Sequence, residues 1–222
     1  MCDCAFCMEF SNGITDNKTE YSSFFEKSRV IAEKGTVLIM PTLGCFIKGY
    51  ILLTTYDHYN SLYECPDSVI SDITKVSNTI SRVFLNKLDK GMVFFEHGTI
   101  KDFEHSAASI NHFHLHFLPI NESIWSKIRD KYQFDYYSIK SLYDVKNVVN
   151  ENMINSYMLL SDIDRNIYLV DCNKSEYHSQ FLRRVFYEYY YGEDTEQKWN
   201  WQKYPYYKIM RETYDMFKGI TI

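Results

Sequence analysis

Short runs of β-branched and aromatic residues alternate with polar, turn-forming residues in the first part of the chain. Residues 29–31 and 36–40 are two such runs, and the polar stretch 32–35 between them favours a turn, so the pattern predicts a β-hairpin. A further strand is predicted over 50–55, entered through Gly49. These segments are thus predicted to be three consecutive strands.

The clearest helix is predicted to start near Pro66, Asp67 and Ser68. Apolar residues recur after this point at intervals of three and four positions, which places them on one helix face. Gly91 lies just beyond the predicted end. The apolar positions are Val69, Ile73, Val76, Ile80, Val83 and Phe84.

Two more apolar segments follow this helix. A strand is predicted over 92–96, and the polar stretch 99–109 predicts a loop. The next strand is predicted over 111–118 and is expected to end at Pro119, because proline has no N–H group to donate within a sheet.

Residues 121–222 predict an α+β extension of a core domain formed by residues 1–120. The extension contains no tandem repeat and no low-complexity linker, so we expect it to pack on the core. Its predicted elements are a helix over 121–132 capped by Asn121 and Glu122, a helix over 138–150, strands over 157–160 and 167–170, a helix over 176–190 ended by Gly192, and a helix after Pro205.

Composition narrows the classes of function. The 222 residues include 29 acidic and 24 basic side chains, and the formal net charge of −5 argues against bulk binding of a nucleic-acid polymer. No basic region followed by an apolar stretch marks the N-terminus, and the most apolar stretch, 36–47, is too short to span a bilayer. The sequence therefore predicts a cytoplasmic protein without a membrane partner.

The six cysteines suggest reduced thiols and a metal site. Three disulfides would need a secreted context, which the sequence does not indicate. Cys2, Cys4 and Cys7 crowd the first seven residues, an arrangement that suits metal chelation, although ordinary free thiols are the alternative.

Three histidines alternate along the strand predicted over 111–118. Side chains two apart share a face of a strand, so His112, His114 and His116 are expected on one face and the intervening apolar residues in the core. Clustered ionisable groups are typical of functional sites. Two alternatives remain, namely three satisfied histidines on a half-exposed strand and a three-histidine metal centre in a metal-dependent hydrolase.

Residues 112–118, His-Phe-His-Leu-His-Phe-Leu, resemble the motif of the histidine triad (HIT) superfamily, His-φ-His-φ-His-φ-φ with φ apolar. Cys4-Ala5-Phe6-Cys7 resembles the Cys-x-Phe-Cys of zinc-containing members. The segment 49–58 resembles their Gly-His-x-Leu-Val-x-Pro-Lys-x-His and departs from it at Tyr50, Thr55 and Tyr56. The resemblance covers about residues 1–120 and implies an α+β fold with a HIT-like antiparallel sheet and flanking helices.

The resemblance also implies roles for individual residues. His114 corresponds to the nucleophile that attacks the α-phosphorus of a nucleotide and forms a nucleotidyl-histidine. His112 and His116 correspond to histidines that orient and assist. Ser109 corresponds to the serine that contacts the phosphate or leaving group. The Gly-Gln that usually precedes this serine is replaced by Ala107-Ala108, which changes the polar contacts offered to a substrate.

An enzyme of this kind transfers the nucleotidyl group to one of several acceptors. Water would make it a hydrolase of dinucleoside polyphosphates or nucleoside phosphoramidates, and phosphate or a sugar phosphate would make it a transferase or phosphorylase. The extension resembles that of the longer nucleotidyltransferase and phosphorylase-type members. A low-turnover nucleotide-binding module is the alternative, and short members of the superfamily often form homodimers.

The resemblance implies a structural zinc site as well. By position, the four ligands would be Cys4, Cys7, His58 and His112, with Cys2 as a competing ligand. His114 would then remain free for chemistry.

Other residues give weaker signals. Glu96 could line the nucleotide site or simply end a strand beside a turn glycine, Gly98. Gln180 or Arg183 could reach a phosphate, and a solvated helix face is the alternative. Trp199 and Trp201 are expected to pack the extension, with base stacking as the other option.

Overall fold

The computed structural model describes residues 4–16, 24–25, 28–100, 110–173 and 177–222. Within these ranges the chain forms helices α1–α6 and strands β1–β8. The helices are α1 (Ala5–Asp16), α2 (Asp67–Leu88), α3 (Trp125–Tyr132), α4 (Asp144–Asn152), α5 (Phe181–Tyr191) and α6 (Tyr207–Phe217). The strands are β1 (Ala32–Lys34), β2 (Val37–Pro41), β3 (Ile51–Thr55), β4 (Gly91–Thr99), β5 (His114–Ile120), β6 (Tyr136–Ile139), β7 (Ser156–Ser161) and β8 (Ile167–Asp171).

The strands form one sheet in the order β1-β2-β3-β5-β4-β7-β8-β6, and every neighbouring pair is antiparallel. The predicted α+β class with an antiparallel sheet and flanking helices is therefore confirmed. The histidine strand β5 lies between β3 and β4, where His116 is opposite Leu52 on one side and Phe95 on the other. Strands from both predicted segments share this sheet, and the division at residue 120 stays a prediction.

The sheet has an apolar core on each face. On the first face, α2 and α4 cover alternate strand residues that include Leu53, Leu115 and Phe117. On the second face, α3, α5 and α6 pack on residues such as Phe95 and Leu118. The N-terminal helix α1 completes this second face through Phe6, which packs on the β2–β3 surface. Complete burial of one such side chain stabilises the fold by about 1.5–3 kcal/mol.

Helix α2 follows the predicted pattern closely. The apolar stripe from Val69 to Phe84 is buried in the first core. The helix ends at Asp89, which adopts the left-handed conformation with φ of 52°. Gly91 is already the first residue of β4.

The predicted hairpin and histidine strand are displaced along the chain. The first strand is β1, and the prediction over 29–31 was wrong. The side chain of Arg29 forms an ion pair with Glu9, and the hydrogen bond described between residue 31 and β2 is the one from its N–H to the carbonyl of Ile39. Pro119 does not end β5, since it pairs with Met92 and lies beyond the residues paired with β3. A proline fits there because the β3 ladder no longer needs its N–H.

Two helix predictions in the extension were wrong in detail. The helix predicted over 138–150 begins only at Asp144, whose carboxylate accepts hydrogen bonds from the N–H groups of residues 140 and 141, while Tyr136–Ile139 forms β6 against β8. Asn121 and Glu122 do not cap α3, which begins at Trp125 without a side-chain cap. The strand–turn–strand prediction around 157–170 and the helix end at Gly192 are confirmed.

In the part of the chain that the structure describes, no helix is both long enough and apolar enough to cross a membrane.

Candidate functional site

The second face of the sheet carries His114 and His116 side by side on β5. Both are nearly buried, with 6% and 5% of their surfaces exposed. Phe6 of α1 contacts His114 edge to face at 5.7 Å, and Phe95 stacks on His116 at 4.4 Å. The opposite side chains of β5, Leu115 and Phe117, lie in the first core, as predicted.

Backbone geometry determines which ring nitrogen of His114 carries the proton. Its Nδ1 lies 2.6 Å from the carbonyl oxygen of His112, and a carbonyl can only accept. Nδ1 is therefore protonated, and Nε2 holds the free lone pair. Burial, followed by the charge of Arg183, lowers the pKa of His114. The neutral imidazole with an unprotonated Nε2 is the nucleophilic form.

Tyr50 and Arg183 determine the tautomer of His116. The Tyr50 hydroxyl lies 2.7 Å from Nδ1 of His116 and accepts a hydrogen bond from Arg183 Nη1 at 3.1 Å. Arginine only donates, and Nδ1 of His116 is the acceptor within reach of the buried Tyr50 hydroxyl among the described residues. The Tyr50 proton is therefore directed to Nδ1, and the proton of the neutral imidazole lies on Nε2. Burial, together with the charges of His114 and Arg183, lowers the pKa of His116 well below its usual value.

Arg183 is buried, not solvated. It is 3% exposed, and its guanidinium donates to the carbonyls of Gly44 and Trp199 and to the hydroxyls of Thr42 and Tyr50. The helical pattern around residue 183 suggested a solvated face because α5 is otherwise amphipathic. Among the described residues no carboxylate lies within ion-pair distance of Arg183, and the ring faces of Phe46 and Tyr50 flank its charge.

A narrow cleft of about 30 Å³ opens beside these groups. This volume is close to that of one or two water molecules. Arg29 contributes a second positive charge, but Glu9 neutralises it through bonds of 2.8 and 2.9 Å. Residues that line the cleft are Phe6, Arg29, Thr42, Leu43, Leu52, Ile110, His114, His116, Arg183 and Trp201.

His112 belongs to a different cluster from the other two histidines. Its Nε2 donates to the carbonyl of Thr55 at 2.8 Å, so Nδ1 has the lone pair. That Nδ1 lies 3.4 Å from Sγ of Cys4 and 3.6 Å from Sγ of Cys7, and Nδ1 of His58 lies 3.3 Å from Sγ of Cys7. The four ligand atoms all lie within 4.8 Å of one another.

This cluster fits a tetrahedral zinc ion. Zinc–sulfur bonds of about 2.3 Å and zinc–nitrogen bonds of about 2.0–2.1 Å, at the tetrahedral angle, separate sulfur from nitrogen by about 3.6 Å. The three sulfur–nitrogen distances in the cluster, 3.3–3.6 Å, match that value. In the described ranges no other group of His, Cys, Asp and Glu side chains has this proximity. His114 and His116 lie outside the cluster, so the geometry does not favour a three-histidine metal centre.

Glu96 is not brought to the cleft. It lies on the opposite face of β4, where its carboxylate accepts hydrogen bonds from the N–H of Leu62 at 2.8 Å and from the hydroxyl of Tyr157 at 3.1 Å. Burial raises the pKa of Glu96 to about 8. Gly98 is a strand residue and not a turn, and a Cβ there would lie 2.1 Å from the Tyr157 ring.

Its neighbour His97 lies on the same face as the cleft. Its Nε2 accepts a hydrogen bond from the N–H of Leu182 at 3.2 Å, and burial lowers its pKa to about 3. Gln180 is buried as well, and its side-chain oxygen accepts from the N–H of Trp201 at 3.3 Å. Ser109 and Cys2 lie outside the described residues.

Sequence patterns missed Tyr50 as a member of the site. It appeared only as a departure from the family motif, at a position where the motif has a histidine. That departure was itself a signal, because a tyrosine hydroxyl can hydrogen-bond to an imidazole such as His116. Thr42 and Gly44, which position Arg183, carried no pattern that could have identified them.

Residues 2–133 match the model of a family described as "Protein similar to CwfJ C-terminal". The match spans more than half of the chain, and the chain belongs to this family. A comparison with curated proteins gives no significant match.

Several solved structures are similar to this chain. A HIT family protein from Bacillus subtilis is 17% identical over 68% of this chain and 96% of its own, with a TM-score of 0.43. A zinc-bound histidine triad family protein from Mycobacterium smegmatis is 19% identical over 54% of this chain and 76% of its own, with a TM-score of 0.40. Yeast Ap4A phosphorylase Apa2 is 10% identical over 64% of this chain and 59% of its own, with a TM-score of 0.44.

Proposed function

We propose that this protein is a HIT-type nucleotide hydrolase or nucleotidyltransferase in which His114 attacks the α-phosphorus of a nucleotide. The observation that carries the proposal is the 2.6 Å bond between Nδ1 of His114 and the carbonyl of His112, which leaves a lone pair on Nε2. The motif over 112–118 supplies the chemical precedent. A nucleophile needs this unprotonated form, and the buried site maintains it near neutral pH.

The first step forms a bond between Nε2 of His114 and phosphorus and breaks the bond between phosphorus and the leaving oxygen or nitrogen. His116 carries its proton on Nε2, so it is suited to donate a hydrogen bond to the leaving group or to a phosphoryl oxygen. In the second step an acceptor oxygen replaces the histidine nitrogen on phosphorus. The acceptor is water in hydrolysis and phosphate or a sugar phosphate in transfer.

Arg183 supplies the positive charge that an anionic substrate needs. It lines the cleft with both histidines and has no carboxylate partner among the described side chains. A buried guanidinium of this kind forms strong charge-assisted hydrogen bonds with phosphoryl oxygens. We therefore include Arg183 in the proposed site, together with Ser109, whose role stays a prediction, and leave Glu96 out.

We further propose a zinc ion bound by Cys4, Cys7, His58 and His112. When bound, the metal would supply a structural cross-link between α1, the segment after β3 and the segment before β5. Two of its ligands flank Phe6, which covers His114. The cross-link would thus hold one wall of the cleft in place.

Trapping the covalent intermediate tests the proposed function. We expect α-³²P-labelled nucleotides to leave acid-labile label on the wild-type protein and none on His114→Ala. His178→Ala, which removes an exposed histidine outside the site, is the matched control and should be labelled like the wild type. Absence of label with every nucleotide tried, together with unchanged hydrolysis by a folded His114→Ala, would refute the proposal.

Product analysis then identifies the acceptor. The panel comprises a nucleoside phosphoramidate, a dinucleoside tetraphosphate and a nucleoside diphosphate sugar, each with water, inorganic phosphate or a sugar phosphate as acceptor. Release of nucleoside monophosphate in buffer alone indicates a hydrolase. Products that require added phosphate or sugar phosphate indicate a transferase or phosphorylase.

A further inference from the structure

A larger cavity, of about 360 Å³, lies beside α2 near the start of β4 and the turn between β7 and β8. It shares no lining residue with the histidine cleft. A cavity of this size is within the range that accommodates small organic ligands. Nothing in the proposed nucleotidyl chemistry uses it.

The cavity has an apolar floor and a polar wall. Met92, Phe94, Leu142 and Ile167 form the floor. The flank of α2 that faces the cavity is mostly polar, with Leu85 as its apolar member. Its polar residues are Thr74, Ser77, Asn78, Ser81 and Arg82. An apolar body could lie on the floor while its polar groups face the helix.

The charges around the cavity are strongly one-sided. Among the described residues, four basic side chains and one acidic side chain line it, and the acidic one, Asp162, already accepts hydrogen bonds from Asn166 and Tyr168. The whole chain has the opposite balance, with 29 acidic and 24 basic residues. No ion pair within the described ranges engages any of the four, which are Arg82, Lys90, Lys140 and Arg165.

We propose that this cavity is a second ligand site, which binds a small organic anion with an apolar body. The anionic group would lie near Arg82, Lys140 and Arg165, and the body would cover the floor. Leu85 and Tyr143 line the same cavity and are 60% and 40% exposed, so a bound apolar body would remove part of their apolar surface from water.

The probe for this site is 1-anilinonaphthalene-8-sulfonate, which joins two aromatic groups to one sulfonate. We expect a single saturable site per chain, with affinity that falls as salt concentration rises. N-phenyl-1-naphthylamine has the same rings without the charge and should bind at least about tenfold more weakly. Equal binding of the charged and neutral compounds would overturn the proposal.

Charge reversal tests the location. Lys140→Glu/Arg165→Glu should weaken sulfonate binding about tenfold or more. Lys208→Glu/Lys218→Glu, on exposed residues that do not line the cavity, changes the net charge equally and should leave binding unaltered. Asn78→Trp, which fills the cavity from its polar wall, should abolish binding without any change in charge. Equal effects of the two double variants would refute the site.

Methyl NMR gives a readout that does not depend on variants. Sulfonate should shift the resonances of Met92 and Ile163, which line this cavity, and not that of Ile110, which lines the histidine cleft. The reverse pattern would place the ligand in the cleft and overturn the proposal. His114→Ala should bind the probe normally, so failure of the second site and failure of the proposed function are distinguishable.

Discussion

The hydroxyl of Tyr50 lies 2.7 Å from Nδ1 of His116 and is held there by Arg183. Tyr50 precedes β3, His116 lies in β5 and Arg183 lies in α5. Three separate parts of the chain therefore determine which ring nitrogen of His116 carries the proton. If His116 assists the proposed reaction as a donor, Tyr50 and Arg183 act through it as positioning residues.

Tyr50→Phe should therefore lower the turnover rate about tenfold or more, with a much smaller effect on KM, because the proton on Nε2 of His116 is no longer fixed. The tautomer itself can be measured from the ¹⁵N shifts of the His116 ring, which should change from a single Nε2–H form to a mixture. Tyr191→Phe removes a hydroxyl bonded to the carbonyl of Phe46 and is the control. An unchanged tautomer in Tyr50→Phe would disprove this role.

Arg183→Lys should raise KM for a nucleotide substrate about tenfold or more, because the forked guanidinium contacts are lost while one positive charge remains. The thermal shift produced by saturating nucleoside monophosphate should shrink in parallel. Arg184→Lys alters the exposed neighbour, which pairs with Glu188, and should leave both quantities unchanged. A purely structural role of Arg183 would lower thermal stability and leave KM at the wild-type value.

The purified protein should contain one zinc ion per chain, and Cys4→Ser and Cys7→Ser should each lose it, because a tetrahedral site needs all four ligands. Cys172→Ala changes a buried cysteine outside the cluster and should keep the metal. Elemental analysis of each variant measures the content. Chelation should also destabilise the wild type, since a bound structural metal contributes to folding. Zinc retained in both serine variants would contradict the ligand assignment.

Glu96 should make the free energy of unfolding depend on pH. Burial raises its pKa from 4.5 to about 8, so the folded chain binds its proton more tightly than the unfolded chain. Its contribution to stability is fully present below about pH 4.5 and is lost as pH rises through about 8. Glu96→Gln keeps an oxygen that accepts from the N–H of Leu62, but the glutamine side chain does not titrate. The free energy of unfolding of this variant, measured with urea, should therefore fall less between pH 6 and 9 than that of the wild type. Glu122→Gln, at an exposed carboxylate, is the control and should reproduce the wild-type slope.

Regular patterns made the strongly periodic parts of the molecule predictable. The stripe of α2, the alternation in β5 and the turn between β7 and β8 depend on local spacing, and the structure contains all three. The last two residues of β6, 138 and 139, were mistaken for the start of a helix. Their pairing partner, β8, is some thirty residues distant in the chain, and such non-local pairing leaves no local periodicity.

The site was predictable to a similar degree. The cysteines and histidines could be recognised because metal ligands and imidazoles are chemically distinctive. Arg183 could not be assigned, because a basic residue on an amphipathic helix is usually solvated, and only tertiary packing against Gly44 and Tyr50 buries it. Glu96 shows the converse, because its neighbour His97 lies on the sheet face that carries the cleft and strand alternation places Glu96 on the opposite face.

The continuous pairing of β4 with β7 has a consequence for how this fold could be divided. A fragment ending near residue 120 would leave the backbone groups of residues 95–99 without the partners they have in β7, and it would lack Arg183 altogether. An unpaired strand edge is prone to intermolecular association. The histidine cleft could thus not be moved to another protein with residues 1–120 alone. The segment after residue 120 supplies the positive charge of Arg183 in the cleft, and its strand β7 covers the edge of β4 that would otherwise promote aggregation.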